Sequence, residues 1–101
     1  MNLYRIFNSK DKEVAVISES KPYIFQIKSI SNNQSEIPVL LQDDCSTGRI
    51  AFFLKSRVKP DSVYIEEHRN DDKGLINLLK KNNGRIKTDD FYIIVEENVI
   101  Q

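Results

Sequence analysis

The chain has 101 residues, with fifteen Lys and Arg against fifteen Asp and Glu, 40% hydrophobic and 30% charged residues. That length supports one domain, which buries roughly 60 to 65% of the surface its extended chain exposes, and the composition lies on the foldable side of the boundary with disorder. The charge balance persists in each half, six against six in residues 1–50 and nine against nine in residues 51–101. A chain that binds nucleic acid through phosphates usually concentrates positive charge, so the balance weakens that reading and excludes an acidic mimic of nucleic acid.

Cys45 is the single cysteine, which rules out an internal disulfide and suits a reducing compartment. The first residues lack the basic region and apolar stretch of a secretory signal. No apolar run approaches the ~18 residues of a spanning helix. The expectation is a cytoplasmic protein without a membrane segment.

Short apolar segments separated by polar turns follow in order. Leu3 to Phe7 and Glu13 to Ile17 read as two strands of a hairpin, joined through Asn8–Lys12. After Pro22, Tyr23, Phe25 and Ile27 share one side of a third strand, with a bulge or its end near Ile30. Ile37, Val39 and Leu41 also alternate, and Pro38 between them places that segment at a sheet edge, open to strand addition by a partner. Residues 49–56 read as another strand, with Ile50, Phe52 and Leu54 inward and Phe53 on the reverse side.

Val63 and Ile65 make a short strand after the turn at Lys59–Ser62. A helix is expected over 72–82: Asp71 or Asp72 caps it, Leu75, Leu78 and Leu79 share a face, and Gly84 supplies the exit. A last, internal strand contains Phe91, Ile93 and Val95. Together these elements predict an α+β domain of six or seven mostly antiparallel strands and one helix, either an open sheet or a partly closed barrel.

No diagnostic chemical motif is present. Cys45 becomes a nucleophile only if His68, the single histidine, approaches it with Asp43 or Asp44 as orienter; a free structural cysteine is the simpler account. Ser46, Thr47, Gly48 and Arg49 offer donors to a phosphate, yet lack the extended glycine pattern of a nucleotide-binding loop. Glu66, Glu67, Asp71 and Asp72 near His68 fit neither a calcium loop nor a zinc site. The pairs Asp89–Asp90 and Glu96–Glu97 read as solvating charges around a strand. No cofactor, metal or catalytic residue is assigned.

Two function classes stand ahead of a small Cys-His enzyme. The first is a protein-binding module: an inhibitor, an immunity factor or an assembly subunit. Its exposed sheet face or edge would present Tyr4, Phe53, Tyr64 or Tyr92, wherever the core leaves these aromatics free. The same face can serve a homodimer. The second is a single-stranded nucleic-acid binder, with Phe52 and Phe53 stacking on bases and Arg49, Lys55 and Arg57 on phosphates.

Overall fold

The computed structural model describes residues 1–21, 24–57, 79–80, 83–85 and 89–100. Strand β1 (Asn2–Phe7) pairs antiparallel with β2 (Glu13–Lys21), and β2 pairs antiparallel with β3 (Ile24–Ile30). The other side of β1 takes β4 (Tyr92–Glu96), giving an open antiparallel sheet of four strands in the order β3-β2-β1-β4. Between β3 and the single complete helix among the described residues, α1 (Thr47–Ser56), lie two 3-10 turns, Gln34–Glu36 and Val39–Leu41.

The hairpin joining β1 to β2 is built by Asn8. Its side-chain oxygen accepts from the Lys10 and Lys12 amides at 2.9 and 3.1 Å, and its carbonyl accepts from the Asp11 amide at 3.0 Å. Asp11 takes φ 60°, a conformation that a short polar side chain tolerates better than a branched one.

Cross-strand register places Tyr4 opposite Ile17 and Val95, and Ile6 opposite Ala15 and Ile93. With Phe25 these residues line one sheet face and join Ile37, Leu41, Ile50, Phe53, Leu54 and Leu79 in a single apolar cluster. Tyr4 and Phe25 meet edge-on, with ring centroids 5.8 Å apart. The opposite face carries Arg5, which forms ion pairs with Glu13 on β2 and Glu96 on β4.

The expected strands at 3–7, 13–17 and 91–95 are present, and the third strand is present as β3; Tyr23 lies outside the described residues. Three expectations need correction. The segment containing Ile37, Val39 and Leu41 is no strand: Pro38, at φ −56°, opens a 3-10 turn that buries Leu41 and leaves Val39 78% exposed. Residues 49–56 are helical. Ser46 caps the helix by accepting from the Arg49 amide, and Ile50, Phe53, Leu54 and Arg57 form a buried stripe at helical spacing. Among the described residues the last strand lies at an edge, pairing with β1 alone.

With 37–41 and 49–56 not strands, four of the expected strands make up the described sheet, which is open and not closed into a barrel. The strand expected at Val63–Ile65 lies outside the described residues. So does most of the helix expected over 72–82; Leu79 and Lys80 are helical, with Leu79 in the core. Among the described residues no helix is long and apolar enough to cross a membrane.

A helix of ten residues is marginal alone. Burial of Ile50, Phe53 and Leu54, worth about 1.5–3 kcal/mol each, holds α1 against β3 and the second 3-10 turn. This anchoring fixes which side of α1 faces water.

Candidate binding surface

With Ile50, Phe53 and Leu54 inward, the solvent side of α1 carries Arg49, Phe52 and Lys55. They follow at three-residue steps, so their side chains form one ridge. Phe52 stands at its centre, 60% exposed, on a backbone held by the core. Gly48, one turn before Phe52, would hold a Cβ in open space.

Asp44 sits at the start of the ridge. Its carboxylate accepts from the Ser46 amide at 2.8 Å and lies 3.9 Å from the Arg49 guanidinium. The hydrogen bonds from the Ser46 amide and hydroxyl hold Asp44 below the usual carboxylate range, and Arg49 adds a smaller effect in the same direction. A pair this long and exposed leaves Arg49 able to meet another anion.

The remaining candidates from the sequence are elsewhere. Tyr4 is fully buried, its hydroxyl donating to Glu19 at 2.7 Å, and Glu19 also accepts from the Asn2 side chain at 3.0 Å. Phe53 is 1% exposed and belongs to the core. Arg57 is 2% exposed: it grips Asp89, donates to the Gly84 and Phe91 carbonyls, and lies 5.8 Å from the Phe53 ring centroid. Its charge is spent inside the protein. Tyr64 lies outside the described residues.

Tyr92 is half-buried beside a cleft of about 400 Å³ that also touches Ser9, Asp11, Arg85 and Asp90. Its ring stacks on Phe7 at 5.1 Å, the Arg85 guanidinium lies 4.5 Å above it, and its hydroxyl donates to Asp11 at 2.8 Å. The hydrogen bond to Asp11 pushes the Tyr92 phenol above its ordinary value. Tyr92 is thus already occupied by its own fold.

Cys45 is an exposed free thiol that donates to the Leu41 carbonyl, 3.2 Å away, and His68 lies outside the described residues. Among the described residues no group of three or more His, Cys, Asp or Glu is placed to hold a metal ion. Several acidic residues from the sequence pairs have cationic partners: Asp89 holds Arg57, Glu96 holds Arg5 and Glu97 holds Lys80.

The sequence names all three ridge residues but assigns them to a sheet face shared with Phe53 and Arg57. The signal for a helix is the apolar spacing Ile50, Phe53, Leu54 behind the capping residue Ser46. Comparison with protein-family models, curated protein sequences and solved structures yields no match.

Proposed function

We propose that the protein is a non-catalytic protein-binding module of the inhibitor, immunity-factor or assembly-subunit kind, and that its contact surface is the Arg49–Phe52–Lys55 ridge of α1. The observation that carries this reading is the exposure of Phe52 at the centre of a rigid helix face. A large aromatic with polar residues around it is the usual composition of an interface hot spot. The exposed thiol of Cys45 fits a cytoplasmic setting.

The sheet edges serve this role less well. The Phe25 carbonyl on edge strand β3 accepts from the Thr47 hydroxyl at 2.9 Å, and the Ile93 amide on edge strand β4 donates to the Asn83 carbonyl at 2.6 Å. Lys28 also occupies a bulge of β3, between the partners of Val16 and Ile17. Occupied edge groups, bulges and lysines all oppose strand addition.

Single-stranded nucleic acid is the second reading, because Arg49, Phe52 and Lys55 do share one face. It is the weaker of the two. Two of its five residues, Phe53 and Arg57, are buried, and the charge of the whole chain is balanced.

Affinity purification of the tagged protein from its native cells, with and without nuclease, separates the two. The protein-binding reading expects a stoichiometric protein that survives nuclease and is lost with Phe52→Ala. Recovery of nucleic acid, with protein partners that disappear on nuclease treatment, would give first place to the alternative.

A further inference from the structure

We infer that the cleft beside Tyr92 binds a small zwitterion of the amino-acid class, with its carboxylate on Arg85 and its ammonium on Asp90 and Asp11. This site goes beyond the protein-binding reading and shares no residue with the ridge of α1, so the two stand or fall separately.

The observation that carries it is a pair of opposite charges that line one concave surface and do not pair. Arg85 and Asp90 both border the cleft of about 400 Å³. Among the described residues Arg85 has no carboxylate partner and Asp90 has no cation. Arg85 instead lies over the Tyr92 ring, 4.5 Å from its centroid. That contact engages the charge and leaves the N–H donors of the guanidinium for a ligand carboxylate.

The other two aspartates at the cleft differ in what they can still offer. Asp89 is neutralised by the Arg57 fork, at 2.6 and 2.8 Å. Asp11 accepts from the Tyr92 hydroxyl at 2.8 Å, a neutral donor that leaves its negative charge in place. A simple anion on Arg85 would therefore meet the repulsion of Asp11 and Asp90, and a simple cation on these aspartates would meet that of Arg85. A ligand with one charge of each sign avoids both penalties.

These groups are held in place before any ligand arrives. Tyr92 stacks on Phe7, with centroids 5.1 Å apart, which fixes the ring beneath Arg85. Asp11 stands in the hairpin that Asn8 ties together, and Asp90 follows the anchored Asp89. Phe91, packed against the core, adds an apolar wall. A frame fixed in this way lowers the ordering cost of binding, and the cleft falls in the size range of small-molecule sites.

Two-dimensional NMR of the isotope-labelled protein tests the inference with glycine, γ-aminobutyrate and ε-aminocaproate, which carry the two charges at increasing separation. Acetate and ethylammonium, with one charge each, are the controls at matched ionic strength. At least one zwitterion should shift the Asp11, Arg85, Asp90 and Tyr92 amides saturably and bind at least about threefold more tightly than either control. Arg85→Gln and Asp90→Asn should each weaken that zwitterion at least about threefold, the scale of one exposed ion pair. Circular dichroism checks that both variants keep their fold. No saturable shift at these amides with any of the three zwitterions overturns the inference. So does a control that binds as tightly as the zwitterion, or zwitterion binding that either substitution leaves unchanged.

Discussion

Arg57 and Asp89 face each other as two forks: Nη1 donates to Oδ2 at 2.6 Å and Nη2 to Oδ1 at 2.8 Å. The arginine closes α1 and is 2% exposed, while Asp89 lies just before β4. Donation from Nε to the Gly84 carbonyl at 2.7 Å and from Nη2 to the Phe91 carbonyl at 2.8 Å satisfies more of the guanidinium. One side chain therefore ties the end of α1 to the segment leading into β4.

Removing the carboxylate takes two charge-assisted hydrogen bonds from a buried cation. Asp89→Ala should destabilise the fold by about 3 kcal/mol. Arg57→Lys should also destabilise, because an ammonium cannot reproduce the paired donors of the guanidinium. Urea unfolding midpoints at neutral pH measure both.

Tyr4 is committed to the interior in the same way. Tyr4→Phe keeps the ring against Phe25 and removes the donor to the buried carboxylate of Glu19. The expected cost is about 1–2 kcal/mol, read as a lower urea midpoint with binding unchanged, since the ring never reaches the surface.

At Gly84 the backbone has φ +63°, and a Cβ built there would lie 2.9 Å from Cδ1 and Cγ1 of the buried Ile93. Gly84→Ala meets both an unfavourable dihedral and a clash with a packed side chain. A loss of about 2–3 kcal/mol is expected, and it should appear as a lower thermal midpoint.

Acid sensitivity has an identifiable contributor in Glu36. Hydrogen bonding to the Lys12 ammonium at 2.8 Å is the largest cause of its lowered pKa, followed by the Ser31 hydroxyl at 2.9 Å. A folded-state value below the unfolded 4.5 means that the stabilisation is present above 4.5 and is lost as pH falls through the folded value. Glu36→Gln should therefore be less stable than wild type at pH 7, and the two should converge as pH falls below the folded value. Urea midpoints across that range check the sign.

The strands were legible because alternation is local. Tyr4 and Ile6, Ala15 and Ile17, and Phe25 and Ile27 each repeat at the two-residue period that one buried face requires. Helix α1 was hidden because Ile50, Phe52 and Leu54 satisfy that same period, and aromatic and β-branched residues favour strands. The competing stripe, Ile50, Phe53, Leu54 and Arg57, ends on a charge that hydropathy assigns to the surface. Partners remote in sequence, Asp89 and the Gly84 and Phe91 carbonyls among them, make its burial tolerable.

The uncovered reverse side of β4 was illegible for a related reason. Ile93 is buried in the core, but Ile94, on the reverse side, is 40% exposed, so two apolar faces in the sequence did not require two covered faces in the fold. For the site, residue types were legible and their element was not. Arg49, Phe52 and Lys55 were read as a sheet patch, and helical geometry separates them from Phe53 and Arg57.

The most direct test of the binding ridge compares two substitutions against the partner recovered after nuclease treatment. Dissociation constants for that partner are measured with wild type, Phe52→Ala and Arg49→Gln/Lys55→Gln at two salt concentrations. An aromatic hot spot predicts that Phe52→Ala weakens binding by about tenfold or more and does so at both salts, while loss of the two charges costs less and matters mainly at low salt. Unchanged affinity with Phe52→Ala would contradict the assignment of α1 as the contact surface.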